Sequence, residues 1–501
     1  MVEKSMFDRR DFLMNAGLIG AGAMLPGAGL AKGVLAAEKA DVVIIGGGLS
    51  GLNSALMLGD LGFKVVVLEA GAMVGGRVKT LDTSEGKLDV GASQIGRGYA
   101  RIIDACMKFG LKLTPEDRDL LPFGFRYKDQ WIDLKTWADN PLNKTVGEER
   151  KISPMLMGQA VTSKWNPCKE LSDWLDPALA SQDISLRQLM VQKGYSPAAI
   201  ELASYSAPGI GIDETSMLRM WQEETRGAAD RRIGGREHEQ RDHPFGETND
   251  HNAIDGLSSI NNIVGGTQQL PFAMAAKLGD VVRLNKRVGR IAMSDKGATV
   301  TCIDGSAYQA RFVISSLPFS MLRDVEITGG PNPIARDAIA HMPYANTARL
   351  YLSVEKPFWK ADGLPASFST DGPIGMFWGI DNHTGEGKHR AMVVMVGKVA
   401  QAISQREHAV PFILSELERL RPASKGLLKV VAYKDWLRDP LQKGCGFSLA
   451  PGQVNAFGRD FIKPWQVLHF CGEHTRRSDY GMESAMESSE RVVLEVAERA
   501  G

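Results

Sequence analysis

Gly46-Gly47-Gly48-Leu49-Ser50-Gly51 fits the pattern G-x-G-x-x-G at Gly46, Gly48 and Gly51, and an acid, Glu69, stands 21 residues after Gly48. Residues of these types at this spacing suit the binding of a dinucleotide. The first glycine makes a tight turn, the second lets backbone N–H groups approach a pyrophosphate, and the third lets a helix pack close to a strand. The carboxylate is placed to accept hydrogen bonds from a ribose hydroxyl.

The flanking sequence supplies the elements that such chemistry needs. Asp41-Val42-Val43-Ile44-Ile45 is an apolar run of the kind buried on both faces of a parallel sheet. A helix follows, with Leu52, Ala55, Leu56 and Leu58 on one face and Gly62 near its end. Its N-terminus points at the phosphates, where its dipole favours negative charge. Lys64-Val65-Val66-Val67-Leu68 then forms a second strand that ends at Glu69.

Further motifs extend the pattern along the chain. Gly75-Gly76-Arg77-Val78 and Asp89-Val90-Gly91-Ala92-Ser93 come next, and Gly265-Gly266-Thr267 opens a second glycine turn. A strand around Val281–Val288, Arg311-Phe312-Val313-Ile314-Ser315-Ser316-Leu317-Pro318 and Lys356-Pro357-Phe358-Trp359 follow in order. Near the end stand His469-Phe470-Cys471-Gly472-Glu473-His474-Thr475 and Gly481-Met482-Glu483-Ser484-Ala485. This series resembles the flavin amine oxidase family. The resemblance implies an α/β fold with a discontinuous Rossmann-like FAD-binding domain and an α+β substrate-binding domain. It implies FAD as cofactor, held by Gly46, Gly48, Leu49, Ser50, Gly51, Glu69, Ala70, Gly76, Arg77, Val288, Gly472, Glu473 and Met482. Glu473 would meet the ribityl chain. The helix beginning at Met482 would turn its N–H groups to the flavin pyrimidine ring and stabilise negative charge there.

The departures from the family are informative. Ten residues before Trp359, where family oxidases usually carry a lysine near flavin N5, stands Arg349. Arginine stays charged and cannot copy a lysine that exchanges its proton. Arg349 is therefore the candidate catalytic residue, and the electron acceptor is either O2 or a cytochrome or quinone. Gly446 and Gly481 fall at the two positions where the family places the rings that flank the substrate amine, unless a one-residue shift recruits Phe447 and Tyr480. Cys445 occupies the position of the cysteine that bonds the flavin in some members, and an unreacted thiol is the other reading. Gln94 stands where amino-acid oxidases of the family place a carboxylate-binding arginine, which disfavours an ordinary L-amino acid. Met73 replaces an arginine before the Gly-Gly pair, and Phe377 and Trp378 are expected either to line the pocket or to pack in the core.

Composition is consistent with this reading. In 501 residues, 59 Lys+Arg balance 59 Asp+Glu, which excludes the basic field that a nucleic-acid partner needs. Five scattered cysteines do not make a disulfide framework. Asp8-Arg9-Arg10-Asp11-Phe12-Leu13, a short apolar stretch over 16–30 and a small-residue site at Ala36-Ala37 resemble a twin-arginine export signal. Residues 1–37 would be that signal, and the mature enzyme would work in the periplasm without stable membrane insertion. The FAD domain is expected from 38–110, 257–325 and 431–501, and the substrate domain from 111–256 and 326–430. The stretch 225–252 reads as a long loop, and its His238, His243 and His251 fit no metal spacing. The expected activity is hydride transfer from the CH–NH bond of a small-molecule amine to flavin N5. Two glycines in place of the rings would leave room for a bulkier or more substituted C–N bond. L-amino-acid oxidation, carbon–carbon desaturation and a non-catalytic flavoprotein are the alternatives, and a homodimer is left open.

Overall fold

The central strand of the larger sheet is apolar on both faces. Val42, Val43, Ile44 and Ile45 of β1 (Glu38–Ile45) are all buried, as expected of a strand flanked by parallel neighbours and covered by helices. The structure is a computed structural model that describes residues 37–115, 123–206, 210–234, 260–380, 389–458 and 460–501. The twin arginines and the apolar stretch after them lie outside the described residues, as do His238, His243 and His251. Among the described residues no helix is long and apolar enough to cross a membrane.

On one side β1 pairs in parallel with β2 (Val65–Leu68), Val42 opposite Val65. On the other it pairs in parallel with Ala307–Ser315, Val42 opposite Phe312. Eight described strands make up this sheet, and Leu468–Phe470 joins it parallel to Ala307–Ser315. The expected glycine-rich turn leads from β1 into α1 (Leu49–Asp60). The C-terminal helix, Gly481–Ala500, lies against α1, where the Asn53 side-chain amide donates to Ser489 Oγ at 2.7 Å.

A second sheet has seven strands in the order Leu428–Asp435, Thr347–Val354, His389–Val396, Met376–Ile380, Ser367–Thr370, Phe123–Tyr127 and Gln130–Ile132. Side chains alternate between its faces. Leu350, Leu352, Phe368, Phe377 and Val393 form a core with helices Gly397–Ser404 and Ala409–Leu420. The opposite face carries Tyr351, Met392 and Val394, which pack with Val90. Arg349 belongs to this second set, paired in register with Val394 and with Lys434. Two strands sit off the expected domain limits: Glu326–Thr328 joins the first sheet, and Leu428–Asp435 runs across residue 430 within the second.

The expected loop over 225–252 needs correction in its first part. Thr225–Gly234 completes the helix Met217–Gly234, and residues 235–259 lie outside the described set. Few apolar residues suggested irregular backbone, but the charges are answered by distant partners. The buried Arg226 guanidinium bonds Asp479, Asp230 and the Gly98 carbonyl.

Candidate active site

One elongated cavity runs between the two sheets, and most of the expected cofactor residues line it. At its first end the three glycines divide their work as the spacing suggested. A Cβ on Gly51 would stand 2.2 Å from the Gly46 carbonyl oxygen, and a Cβ on Gly46 would stand 2.5 Å from Ser316 Oγ. Gly46 and Gly51 thus allow α1 and the strands to close on one another. Gly48 differs: a Cβ there would meet nothing within 4 Å, because its side faces the cavity. No side chain caps the N-terminus of α1, so the first-turn N–H groups remain for an anion. Glu69 is fixed by N–H donors from Gly47 (2.7 Å) and Gly71 (2.6 Å). Burial pushes its pKa up, and those donors pull it back.

The motifs that follow are tied together across the chain. Asp89 accepts from the Thr80 hydroxyl (2.5 Å) and from Thr267 N–H (3.0 Å), which joins the Asp-Val-Gly segment to the second glycine turn. Arg77 donates to the Cys445 carbonyl and to Glu473 (3.0 Å). Burial acts against the Arg77 charge, but Glu473 and other neighbours outweigh it and push the pKa up. Val288, Gly472, Glu473 and Met482 stand along the same wall. The C-terminal helix starts there with no side-chain cap. Backbone donors at two helix N-termini, a fixed acid at one end and an Arg–Glu pair in the middle fit an FAD laid along this cavity.

Arg349, Cys445, Gly446 and Gly481 line the same cavity. Arg349 Nε is buried and has no partner among the described residues. A Cβ on Gly446 would have only Glu473 Oε1 near it, at 3.9 Å. Gly481 is left-handed (φ 60°), and a Cβ there would stand 2.8 Å from the Tyr99 hydroxyl. The rings of Phe447 and Tyr480 are engaged elsewhere. Phe447 is stacked between the guanidiniums of Arg219 (4.8 Å) and Arg476 (4.7 Å), and the Tyr480 hydroxyl donates to Asp230 at 2.7 Å.

Besides Phe447 and Tyr480, three more expected pocket residues are not in this wall. Phe377 is core, 0% exposed, and stacked 5.5 Å from Phe368. Trp378 shares the Arg349 face but packs near Val90 and Met392. Gln94 is exposed and lies outside the cavity. The wall also contains Ser316, Trp436 and Gln442, which were not singled out as site residues. Ser316 had a legible signal, as a small residue at the end of an apolar strand. Gln442 had none. Among the described residues no group of His, Cys, Asp and Glu is arranged to hold a metal ion.

A two-sheet architecture with a dinucleotide cradle in one continuous cavity that also takes in Arg349, Gly446 and Gly481 is that of an FAD-dependent oxidoreductase. Residues 49–497 match the family described as flavin containing amine oxidoreductase, so the chain belongs to that family and uses FAD to oxidise amines. It is 25% identical over 494 residues to amine oxidase (flavin-containing) B of Homo sapiens, covering 93% of this chain and 87% of that one. Identity to the amine oxidase (flavin-containing) of Danio rerio is 24% over 490 residues, with 92% and 86% covered. Among solved structures, putrescine oxidase bound to putrescine superposes with a TM-score of 0.71 at 20% identity, over 92% of this chain and 99% of that one. Cyclohexylamine oxidase from Brevibacterium oxydans IH-35A gives a TM-score of 0.71 at 18% identity, with the same coverage. These two show the shared fold.

Proposed function

We propose that the enzyme oxidises the CH–NH bond of an amine that is bulkier, or more substituted around its C–N bond, than a slot between two rings would admit. The carrying observation is the pair of glycines, Gly446 and Gly481, in the wall beside Arg349. Bound FAD supplies the two-electron acceptor. The chain's residues orient the amine and set its charge. Arg349 remains cationic, so a protonated amine is disfavoured beside it and the neutral form is selected. The α-carbon then loses a hydride and the nitrogen a proton, and water hydrolyses the resulting imine to a carbonyl compound and a smaller amine. The relatives described as putrescine oxidase and cyclohexylamine oxidase support an amine substrate.

Arginine at position 349, in place of an exchangeable lysine, supports dehydrogenase action with a cytochrome or quinone as acceptor rather than O2. The twin arginines, Arg9 and Arg10, support export of the folded, FAD-loaded enzyme to the periplasm, where such acceptors are found. The test is anaerobic bleaching of the bound flavin across a panel of amines, followed by reoxidation with O2, a cytochrome c or a quinone. Bleaching by branched or secondary amines and slow reoxidation by O2 are expected. Exclusive bleaching by slim primary amines with fast O2 turnover would refute both parts.

A further inference from the structure

After the strand Leu428–Asp435 the chain makes a loop in which Trp436, Leu441, Gln442, Cys445 and Gly446 line the cofactor cavity. Both ends of the loop are pinned by main-chain hydrogen bonds. Trp436 N–H donates to the Thr347 carbonyl (3.1 Å), Cys445 N–H to the Ala345 carbonyl (2.9 Å), and Ala345 N–H back to the Gly446 carbonyl (2.7 Å). The middle is closed on itself. Gln442 and Lys443 donate their N–H groups to the Asp439 carbonyl (3.2 and 2.9 Å), and Leu441 N–H donates to the Asp439 carboxylate at 2.9 Å. Residues 440–444 therefore form a preshaped tip, with Lys443 left-handed at φ 52°.

This tip reaches from one rim of the cavity to the other. On the first rim, Leu441 Cδ1 lies 3.3 Å from the Cβ position of Gly71, and Gln442 Nε2 lies 3.9 Å from that of Gly76. On the second, the Gln442 carbonyl accepts from the Ser320 hydroxyl at 2.6 Å, and Lys443 Nζ bonds both oxygens of Asp324, at 2.8 and 2.6 Å. Asp324 Oδ2 also accepts from Arg287 at 3.2 Å. Arg287 and Asp324 belong to the cavity wall, yet their side chains are 39% and 35% accessible, and that of Lys443 is 44% accessible. The cavity thus meets solvent at this rim, and the Lys443–Asp324 pair fastens the tip across it.

The two kinds of attachment differ in strength. The ends are held by main-chain bonds, whereas among the described residues the tip is tied to the second rim by the side chains of Ser320 and Lys443. An exposed ion pair is weak and is screened by salt, so it opens without unfolding the loop. FAD laid along this wall lies under Leu441 and Gln442, and parting of Lys443 from Asp324 uncovers it. A plain field effect is separable from such an opening. Lys443 is a cation and Asp324 an anion beside an anionic cofactor, so loss of Asp324 alone would strengthen the attraction for FAD and slow its release. An unfastened tip has the opposite consequence.

We propose that residues 440–444 are a releasable strap over bound FAD and that the Lys443–Asp324 pair sets how fast the cofactor leaves. The test uses the FAD-loaded enzyme carrying Cys445→Ala throughout, so that no thioether to the flavin can mask release. Dissociation is read from the rise in free-flavin fluorescence after dilution, which needs no turnover. At low salt, Lys443→Met and Asp324→Asn should each release FAD about two- to fivefold faster than the parent, and Lys443→Arg at close to the parent rate. In about 1 M NaCl the ratio of variant to parent rates should fall to about one, because salt opens the pair in the parent as well. Salt effects on the pyrophosphate are common to both proteins and cancel in that ratio. Lys463→Met, which loses an exposed pair with Asp460 outside the cavity wall, should leave the rate unchanged. Slower or unchanged release in Asp324→Asn, unchanged release in Lys443→Met, or a ratio that persists in high salt would each overturn the assignment.

Discussion

The two wall glycines allow one substitution to be made twice with opposite expected results. Gly446 lies outside the left-handed region, and a Cβ there meets only Glu473 Oε1 at 3.9 Å. Gly446→Ala should therefore be neutral or stabilise by up to ~0.5 kcal/mol, through the stiffer unfolded chain. Gly481 has φ 60°, and its Cβ would lie 2.8 Å from the Tyr99 hydroxyl. The left-handed conformation costs a non-glycine residue about 1–2 kcal/mol. Tyr99 cannot yield freely, because it is buried and meets Tyr480 edge-on at 5.9 Å while Asp230 holds the Tyr480 hydroxyl. Overpacking of this kind adds about 1–3 kcal/mol. The expected loss for Gly481→Ala is thus about 2–5 kcal/mol.

For 501 residues at about 2.1 cal/mol/K each, the unfolding entropy is about 1 kcal/mol/K, so each kcal/mol moves Tm by about 1 °C. Gly481→Ala should then melt about 2–5 °C below the parent and Gly446→Ala within about 1 °C of it, with circular dichroism and flavin-release fluorescence as probes. Tyr99→Phe removes the oxygen that the new Cβ meets. The double variant Gly481→Ala/Tyr99→Phe should recover the steric part, giving a coupling of about 1–3 kcal/mol. Equal shifts at the two glycines, or additive behaviour of Gly481→Ala with Tyr99→Phe, would refute the reasoning.

Three other outcomes are expected. Arg349→Lys should speed reoxidation by O2 about tenfold or more, below the roughly 10²–10⁴-fold contribution of a well-placed proton-transfer group; stopped-flow mixing of reduced enzyme with oxygenated buffer measures it, and an unchanged rate rejects the reading of Arg349. Burial opposes ionisation of Glu223, but its ion pairs with Arg219 and Arg476 outweigh it and hold its pKa at about 2 against an ordinary 4.5. Those pairs stabilise fully above pH 4.5 and lose that contribution as pH falls towards 2. The stability gap between the parent and Glu223→Gln should therefore stay constant above about pH 5 and close in that acid window; a gap that varies between pH 6 and 8 contradicts the linkage. Burial pushes Cys106 and Cys168 up to about 12 and Cys471 to about 11, so at pH 8 iodoacetamide should leave all three unmodified in the folded enzyme, as peptide mass spectrometry would report.

What could be read from the sequence follows the range of the interactions involved. The glycine loop, β1, β2 and Glu69 lie within about 30 residues, the span of one βαβ unit, and each part carries its own local signal. Arg77, Glu473 and Met482 were legible because an ordered motif series marked them. Phe377 and Trp378 were not resolved into core and opposite face, because aromatic residues in an apolar strand give no sign of which face is covered. The helical run from Thr225 was misread for a different reason. Its stability depends on Arg226 meeting Asp479, 253 residues away, and no local pattern reports such a pairing. The pairing of Glu223 was missed on the same ground, since its two arginines lie at 219 and 476 and only the first is a helical neighbour.

The opened wall and the buried charges are physically connected through Phe447. The bends over 443–446 end at Phe447, which bridges to Tyr344. Its ring is not part of the cavity wall and lies against the guanidiniums of Arg219 and Arg476. There the ring face stabilises each cation by about 0.5–2 kcal/mol and excludes water from both. Without that ring, two closely spaced guanidiniums sharing one Glu223 oxygen would be poorly compensated, because the Nε of each has no partner among the described residues. Returning an aromatic residue to position 446 would fill the open wall but would not reproduce a two-ring slot, since Tyr99 blocks a side chain at 481. Exchanging Phe447 for a glycine in the same step would expose the arginine pair. The open wall at Gly446 and the charged cluster behind it therefore have to change together, so the space at that wall is set by both layers and not by the glycine alone.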